Sequence, residues 1–424
     1  MDHVAPSHSP PSRHSADPAR PVDATGRSPA ESPELIRHLL TEEGQRLLAA
    51  VRDHDPAAEL ALATRLRRDH RPELVSAALA QDRLRRRAAA KFGADAQRMY
   101  FTPDGVEQAT RATVAEHRAR RFHALGVRRV VDLCCGNGGD AVALARAGLT
   151  VLAVDRSPAA CAVTRANAEA LGLAERIEVR CADVRSDAVT AVLPEYDAVF
   201  VDPGRRGRQG RVFDPEGYSP PLSWAVGVAR RARHAALKVA PGLPHEAVPE
   251  EAEAEWVSDG GAVKEAVLWF GTGGGTRATL LPGGHGLARG TAPEPAVGEV
   301  GRYLYEPDGA VIRAHLVGEV AHRVGGRLLD PTIAYVTADT LVPTPFARAY
   351  EITDVLPFQL KRLRALLRER GVGRVTVKKR GSAISPEELL RRLRPAGPHA
   401  AVVVLTRVAG APTVLLARPC PAPG

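Results

Sequence analysis

The N-terminal part of the chain has the hydrophobic spacing of amphipathic helices. Between Leu35 and Leu125, apolar residues recur at intervals that line one helix face, for example Leu47, Leu48, Val51, Leu60, Leu62 and Leu66. Prolines at positions 56, 72 and 103 fall at the breaks between these segments. The pattern predicts a helical region over residues 34–125. Residues 1–33, rich in Pro, Ser, His and Arg, are predicted to form a disordered tail.

From Arg129 onward the pattern changes to short apolar runs that alternate with helical segments. Strands are predicted at 130–133, 150–154, 177–181, 198–201, 235–239, 265–270 and 277–280, and helices follow the first two of them. This alternation is typical of a parallel sheet wrapped by helices. The sequence therefore predicts an α/β, Rossmann-like doubly wound core over residues 126–296.

A segment rich in Gly and Pro, residues 271–297, separates this core from a C-terminal region with a different pattern. Helices are predicted there at 359–371 and 386–393, and strands at 374–378 and 401–406. This mixture predicts a separate α+β domain over residues 297–424.

Composition narrows the class of protein. Hydrophobic residues make up 44% of the chain, yet no run reaches the roughly 18 apolar residues that a membrane span requires. The N-terminus lacks the charged-then-apolar order of a signal peptide, so a cytoplasmic protein without membrane contact is predicted. The five cysteines have the spacing of neither a disulfide framework nor a zinc site, so no metal is expected.

The segment from Asp132 to Asp140, DLCCGNGGD, is the strongest chemical signal in the chain. Its glycines let the backbone turn sharply after the first strand and let a ligand approach the next helix. Gly136, Gly138 and Ala141 also satisfy the loose dinucleotide pattern G-x-G-x-x-G/A, so an NAD-dependent oxidoreductase is an alternative. A pyrophosphate disfavours nearby anions, whereas the two carboxylates suit the sulfonium and ammonium groups of S-adenosylmethionine.

Four acidic residues lie at or near the ends of successive predicted strands: Asp132, Asp155, Asp183 and Asp202. Ligands of open parallel sheets bind at the carboxyl ends of the strands, so these side chains are predicted to line one crevice. Each of them could instead cap a helix. Four acids in successive register favour a ligand site.

Residues 130–203 resemble class I S-adenosylmethionine-dependent methyltransferases. The DLCCGNGGD segment looks like motif I of that family, Asp155 like motif II, Asp183 like motif III and Asp202-Pro203 like motif IV. The resemblance implies S-adenosylmethionine as the cofactor, with its methionine part at the glycine loop, its ribose at Asp155 and its adenine beside Asp183. The cofactor-binding residues predicted in this way are Asp132, Cys134, Gly136, Gly138, Asp140, Asp155, Arg156, Ala182, Asp183 and Asp202.

More narrowly, the segments DLCCGNGGDAVALA and VDPGRR and the C-terminal region resemble bacterial methyltransferases that carry a C-terminal THUMP-like domain. This likeness covers about Tyr100 to Ala417 and is stronger in its first half. THUMP domains are RNA-binding modules, so the resemblance implies RNA as a partner.

The segment DPGRRG, residues 202–207, lies where an acceptor should meet the methyl group. It departs from the D/N-P-P-aromatic motif of enzymes that methylate exocyclic amines and is closer to uracil C5 methyltransferases. Those enzymes need a nucleophilic cysteine, and none lies between Cys181 and Cys420. We therefore expect direct displacement, with Asp202, Pro203 and Arg205 as catalytic residues. An alternative role for Asp202 is simply to bond backbone amides.

Basic residues are concentrated near the C-terminus. The net charge of the chain is +9, and residues 359–400 contain twelve basic and only three acidic residues. This concentration predicts RNA binding through phosphate contacts, although charged helices are often only solvated faces. The candidate RNA-binding residues are Arg206, Arg208, Lys378, Lys379 and Arg380.

The predicted function is methyl transfer from S-adenosylmethionine to tRNA or rRNA. Three alternatives stay open at this point: a methyltransferase with a protein or small-molecule acceptor, an NAD-dependent oxidoreductase, and a non-catalytic RNA-binding protein.

Overall fold

The computed structural model describes residues 32–207, 210–211, 214–291 and 293–421, which form two compact units. The first unit comprises the described residues up to Ala109 together with Gly136–Gly138 and Ser157–Gly172, and the second comprises the others. Of the predicted tail, residues 1–31 lie outside the described residues. Within the described chain, no helix combines the length and apolarity needed to cross a membrane.

Helices form the first unit, and polar caps set where two of them begin. The Ser32 side chain accepts a hydrogen bond from the Leu35 N–H, and the Thr41 side chain accepts one from the Gly44 N–H. The apolar helix faces meet in a core of leucine, valine and alanine side chains. The helices are α1 (Pro33–Leu40), α2 (Glu42–Val51), α3 (Glu59–Leu66), α4 (Pro72–Phe92), α5 (Pro103–Gln108) and α8 (Pro158–Ala170).

A nine-stranded sheet is the centre of the described part of the second unit. Its strands are β1 (Arg129–Leu133), β2 (Thr150–Asp155), β3 (Ile177–Cys181), β4 (Ala198–Val201), β7 (His234–Val239), β8 (Glu253–Asp259), β9 (Ala262–Phe270), β10 (Gly275–Leu281) and β11 (His285–Ala288). Their order across the sheet is β11-β10-β8-β9-β7-β4-β1-β2-β3. The five strands from β3 to β7 are parallel to one another, and β9 joins them antiparallel to β7.

The position of β1 determines where a ligand can bind. It lies between β2 and β4, so the chain moves to one side of it for β2 and β3 and to the other side for β4. Open α/β sheets bind ligands at such a switch point, outside the carboxyl ends of the strands. The other elements of this part are α6 (Ala112–Ala124), α7 (Gly139–Arg146), α9 (Asp187–Thr190), α10 (Leu222–Ala229) and the short strands β5 (Arg206–Gly207) and β6 (Gly210–Arg211).

Helix α6 attaches to the sheet through buried ion pairs. Arg118, only 1% exposed, donates to Glu265 of β9. Arg121 donates to Glu255 and Glu253 of β8. The hydrophobic pattern groups α6 with the N-terminal helices over residues 34–125, whereas its contacts lie within the second unit. Apolar contacts also hold the helix, for example Phe122 against Trp269 of β9. The hydrophobic pattern predicts such a buried helix face, but it does not indicate which element the face packs on.

A second sheet, with seven strands among the described residues, forms the C-terminal part of the same unit. Its strands are β12 (Tyr303–Pro307), β13 (Arg327–Asp330), β14 (Ile333–Ala338), β15 (Ala347–Pro357), β16 (Val372–Lys379), β17 (His399–Val408) and β18 (Ala411–Pro419), in the order β13-β14-β12-β15-β18-β17-β16. The helices are α11 (Gly309–Arg313), α12 (Val317–Arg323), α13 (Leu360–Glu369) and α14 (Pro386–Leu393). Leucines of α13 and α14 pack on one face of this sheet. The predicted α/β fold class is confirmed.

Candidate active site

Asp132 lies inside β1, between β2 and β4. Its side chain is buried, and neither carboxylate oxygen has a hydrogen-bond partner among the described residues. Burial, and then the negative charges of Asp140 and Asp202, raise the pKa of Asp132 well above its usual value, while Arg118 opposes the rise. Buried polar atoms are nearly always paired in folded proteins, so these two oxygens indicate a position for a cationic ligand.

The backbone that follows β1 turns through positive φ angles. The φ angle is 69° at Cys134, 56° at Gly136 and 74° at Gly138. A Cβ atom at Gly138 would lie 2.7 Å from Cγ2 of Thr164, so the position has room only for glycine. The Thr164 hydroxyl also donates to the Gly136 carbonyl at 2.9 Å. These glycines produce the sharp turn that the sequence predicts.

Asp140, in the first turn of α7, faces a buried arginine. Its Oδ1 lies 3.3 Å from Nη2 of Arg118. Two Arg118 nitrogens donate to Glu265 Oε1 at 2.8 and 2.9 Å, and the guanidinium lies 4.4 Å from the centre of the Phe200 ring. Although burial alone would lower it, the pKa of Arg118 is raised by the charges of Asp140 and Glu265. Arg118 is therefore a fixed cation behind the site.

Asp202 follows β4, and Lys238 of β7 holds it in place. The Lys238 Nζ donates to Asp202 Oδ2 at 2.7 Å and to Thr110 Oγ1 at 2.8 Å. Lys238 is 4% exposed, whereas Asp202 is partly open to solvent. Although burial alone would lower it, the pKa of Lys238 is raised, above all by the charge of Asp202. Sequence reasoning missed Lys238, for which the available signal was a single lysine in an otherwise apolar strand.

The other two predicted acids lie at the ends of β2 and β3. Asp155 ends β2 and is half-buried, while Asp183 follows β3 and is exposed. Asp183 accepts hydrogen bonds from the side chain and backbone N–H of Arg185, which lower its pKa. Arg156 is exposed and Ala182 is half-buried. All four acids thus lie at the carboxyl-end side of neighbouring parallel strands, and Asp183 also closes a local turn.

The chain after Asp202 forms a small bridge. Gly204 and Ser219 exchange two backbone hydrogen bonds of 2.9 Å. Next to this bridge, the Nη1 atom of Arg205 and the hydroxyl of Tyr218 are buried with no hydrogen-bond partner in the described chain. Pro203 is buried as well. Two unpaired donors next to an anchored carboxylate are suited to a polar ligand.

Comparison with known proteins decides the family. The chain is 36% identical over 352 residues to an uncharacterized S-adenosylmethionine-dependent methyltransferase of Mycobacterium tuberculosis, and the match spans 80% of this chain and 94% of the relative. The chain belongs to the S-adenosylmethionine-dependent methyltransferases. A crystal structure of a Porphyromonas gingivalis W83 protein assigned as a methyltransferase has the same fold, with a TM-score of 0.74 and 22% identity over 89% of this chain and 99% of that chain.

Family models match three parts of this methyltransferase. Residues 32–88 match a domain of unknown function, residues 127–211 the RNA cap guanine-N2 methyltransferase family, and residues 347–419 a THUMP domain-like family. A stretch of 104 residues, 24% of this chain and 24% of the relative, is 30% identical to a 23S rRNA uracil-C5 methyltransferase of Dechloromonas aromatica. The resemblance drawn from the sequence motifs, including the C-terminal THUMP-like domain, is confirmed.

The carboxylates of the methyltransferase fit S-adenosylmethionine. The unpaired oxygens of Asp132 suit its positive charges, whereas a dinucleotide pyrophosphate would meet the negative charges of Asp132 and Asp140. Together with the family, this chemistry removes the NAD-dependent oxidoreductase from consideration. Within the described residues, no group of three His, Cys, Asp or Glu side chains is arranged to hold a metal ion.

The thiol of Cys134 is close enough to the carboxylates for their charge to affect it. Burial, and then the charges of Asp155 and Asp202, raise the pKa of this thiol. A thiol that stays protonated is a poor nucleophile. The electrostatics at Cys134 therefore disfavour a covalent cysteine adduct, in line with the direct displacement expected from the sequence.

Two of the predicted RNA-binding cations have partners within the protein. Lys378 Nζ lies 2.9 Å from Glu306 Oε2, and Arg380 lies 3.9 Å from the other Glu306 oxygen and 5.2 Å from the centre of the Tyr335 ring. Lys379 is exposed. The Arg206 side chain and the whole of Arg208 lie outside the described residues, so their role in RNA binding stays a prediction.

Proposed function

We propose that this methyltransferase methylates RNA by direct displacement, with Asp202 holding the acceptor. The observation that carries the proposal is the anchored carboxylate of Asp202 at the switch point of the sheet. Its Oδ2 is held by Lys238, while Oδ1 has no hydrogen-bond partner in the described chain. A carboxylate held in this way can accept a hydrogen bond from an acceptor N–H or O–H group and orient it for attack.

The chain's own residues account for cofactor binding in this proposal. S-adenosylmethionine supplies an electrophilic methyl group on a positively charged sulfur. Asp132 would balance positive charge of the cofactor, and Asp155 would accept hydrogen bonds from ribose hydroxyls. The other residues proposed to bind the cofactor are Cys134, Gly136, Gly138, Asp140, Arg156, Ala182, Asp183 and Asp202.

Three similarities support RNA as the acceptor. The matched family over residues 127–211 is described as acting on the guanine N2 atom of an RNA cap, and the Dechloromonas aromatica relative acts on 23S rRNA. The C-terminal domain is THUMP-like. The first description names an exocyclic amine and the second a ring carbon. Methylation of a uracil ring carbon needs a nucleophilic cysteine, and none follows the DPGRRG segment before Cys420, so we propose a nitrogen or oxygen acceptor.

We further propose that the RNA-binding surface lies mainly on α13 and α14. The leucines of both helices pack on the sheet, so their charged sides point outward. Exposed basic residues on and near these helices are Lys361, Arg362, Arg368, Arg374, Lys379, Arg391 and Arg394. Exposed cations in such a cluster bind phosphates without base specificity. RNA and S-adenosylmethionine are both available in the cytoplasm, which is the proposed compartment.

A labelling experiment tests the proposal. Purified protein and methyl-labelled S-adenosylmethionine are incubated with total RNA, protein extract or small metabolites from a strain that lacks the gene. We expect label in RNA, reduced about 100-fold or more by Asp202→Asn and unchanged by Asp69→Asn, an exposed acid in the first unit. Label found only in the protein or metabolite fraction would overturn the RNA proposal.

A further inference from the structure

We propose that Lys238 is a positioning residue for methyl transfer, one that fixes which of the two Asp202 oxygens faces the acceptor. This inference rests on the proposed role of Asp202. Lys238 itself is buried in the middle of the sheet, so it acts through Asp202 and not by touching the acceptor.

The register of the sheet delivers Lys238 to Asp202. Val201 of β4 is paired with Leu237 of the parallel strand β7. The residues that come next along the chain, Asp202 and Lys238, therefore lie side by side. The hydroxyl of Thr110 accepts a second hydrogen bond from the ammonium group, at 2.8 Å. Two short contacts in different directions hold the Nζ atom, and through it the Oδ2 atom of Asp202, in one place.

The charges around Asp202 explain why its pairing with Lys238 matters. The titratable groups that interact with Asp202 are Asp132 on β1, Cys134 just after β1, Arg118 on α6, Glu265 on β9 and Lys238 on β7. Asp140 on α7 interacts with Asp132, Arg118, Glu265 and Lys238. Asp202 therefore belongs to a buried cluster of four acids and two cations. Without Lys238, Asp202 would face these acids with only Arg118 as a cation nearby. Like charges repel, so the carboxylate would no longer be held in the one orientation that Lys238 fixes.

A purely structural lysine is a weaker explanation for this position. The neighbours of Lys238 on its strand, Ala236, Leu237 and Val239, are fully buried and apolar. Replacing both members of a buried ion pair by apolar residues of similar size is often neutral or stabilising for the fold. The Lys238–Asp202 pair therefore adds little stability that apolar packing could not supply, while the lysine fixes the orientation of its partner.

The first test measures kcat and KM of Lys238→Met with methyl-labelled S-adenosylmethionine at about pH 7.5. We expect kcat at least about tenfold below wild type and a KM for the acceptor within about twofold, because an acceptor that still binds is no longer oriented for attack. Lys238→Arg should restore most of the wild-type kcat. Lys264→Met, on half-buried Lys264 of β9, is the matched control and should follow wild type. A wild-type kcat in Lys238→Met, or a loss confined to KM, would overturn the proposal.

A double-mutant cycle with Asp202→Asn checks that Lys238 acts through Asp202. Lys238→Met should lower the activity of the Asp202→Asn protein by less than about twofold, and the two changes should be non-additive in the thermal unfolding midpoint. Additive effects in both readouts would refute the positioning role. If Lys238→Met does not fold, as judged by circular dichroism, Thr110→Val removes one partner of Lys238 and should give a smaller loss of kcat, again without a change in KM.

The test of Lys238 does not depend on RNA being the acceptor. The values of kcat and KM are measured with whichever fraction of the cell extract accepts label, so label in protein or metabolites would refute RNA while leaving the Lys238 test in force. If no fraction accepts label, the unfolding cycle decides: non-additive midpoints support the pairing of Lys238 and Asp202, and additive midpoints overturn it.

Discussion

Glu255 and Asp132 are both buried carboxylates in the same sheet, yet their surroundings are opposite. Glu255 on β8 accepts hydrogen bonds from Arg121, His117 and Trp269 at 2.7 to 2.8 Å, and from the hydroxyl of Thr279. Burial raises the pKa of Glu255, but hydrogen bonding and the charges of His117 and Arg121 outweigh it and hold that pKa well below its usual value. Asp132 on β1 has no such donor in the described structure, and its pKa is raised.

The difference between these residues separates a structural carboxylate from one that faces a ligand. Glu255 fastens α6 to the sheet, and its negative charge is fully compensated by the protein. Asp132 lies at the switch point, where its charge is repelled by Asp140 and Asp202. A fold keeps such an uncompensated group at a cost, which a function at the site explains.

The largest effect on stability should come from Glu255→Gln. The substitution leaves the half-buried Arg121 guanidinium with Glu253 as its carboxylate partner and weakens several hydrogen bonds to a charged group, so the free energy of unfolding should fall by about 2 to 3 kcal/mol. Chemical denaturation measures this loss. If Glu255→Gln unfolded with the wild-type free energy, the structural half of the comparison would be wrong.

Asp132→Asn should change the free energy of unfolding in the opposite direction. Because it removes a buried ionisable group for which the described residues supply no hydrogen-bond donor, the free energy of unfolding at pH 7.5 should rise by about 1 kcal/mol or more. The same denaturation experiment measures the change. A loss of more than about 2 kcal/mol would show that Asp132 is a structural group with partners, like Glu255.

The pH dependence of stability sharpens the contrast further. The folded-state pKa of Glu255 is lowered, so its stabilising contribution is present above the unfolded value of about 4.3 and is lost as pH falls through the folded value. The folded-state pKa of Asp132 is raised, so its contribution is present below about 3.9 and is lost as pH rises through the folded value. The advantage of Asp132→Asn over wild type in thermal unfolding should therefore grow from pH 4 to pH 8. The deficit of Glu255→Gln should shrink only in stronger acid.

The smallest expected effect concerns two cations of the C-terminal domain, one without and one with a partner inside the protein. Lys379 is exposed, whereas Lys378 is paired with Glu306. Lys379→Ala should weaken RNA binding by less than about tenfold and reduce the dependence of the logarithm of affinity on the logarithm of salt concentration by about 1. Lys378→Ala should lower the unfolding temperature, and it should weaken RNA binding less than Lys379→Ala does. Filter binding at several salt concentrations and thermal unfolding test the pair, and equal losses of affinity would contradict the assignment.

The sequence predicts the strands that are buried in apolar surroundings, and it predicts the acidic residues of the candidate site. The strands β1, β2 and β4 are apolar runs buried in the sheet, so their pattern is unambiguous. The glycine loop and the acids at the strand ends are local motifs that read directly from the chain. They lie at neighbouring strand ends, as expected for parallel strands.

The remaining features depend on contacts between distant parts of the chain. Strand β8 escapes prediction because Glu253 and Glu255 occupy buried positions in it, and their cation, Arg121, lies 132 and 134 residues earlier. The pairing of Lys238 with Asp202 depends on the register between β4 and β7. A hydrophobic pattern reports burial in apolar surroundings and carries no information about which charges meet.

Calorimetric titration of S-adenosylmethionine into wild-type protein, Asp132→Asn and Glu255→Gln separates a carboxylate of the cofactor site from a structural one. We expect the Asp132→Asn protein to bind the cofactor at least about tenfold more weakly than wild type, because a charge-assisted contact is lost. The Glu255→Gln protein, measured at a temperature where it stays folded, should bind within about twofold of wild type, since Glu255 serves only the fold. Wild-type affinity in the Asp132→Asn protein would contradict the claim that this unpaired carboxylate belongs to the cofactor site.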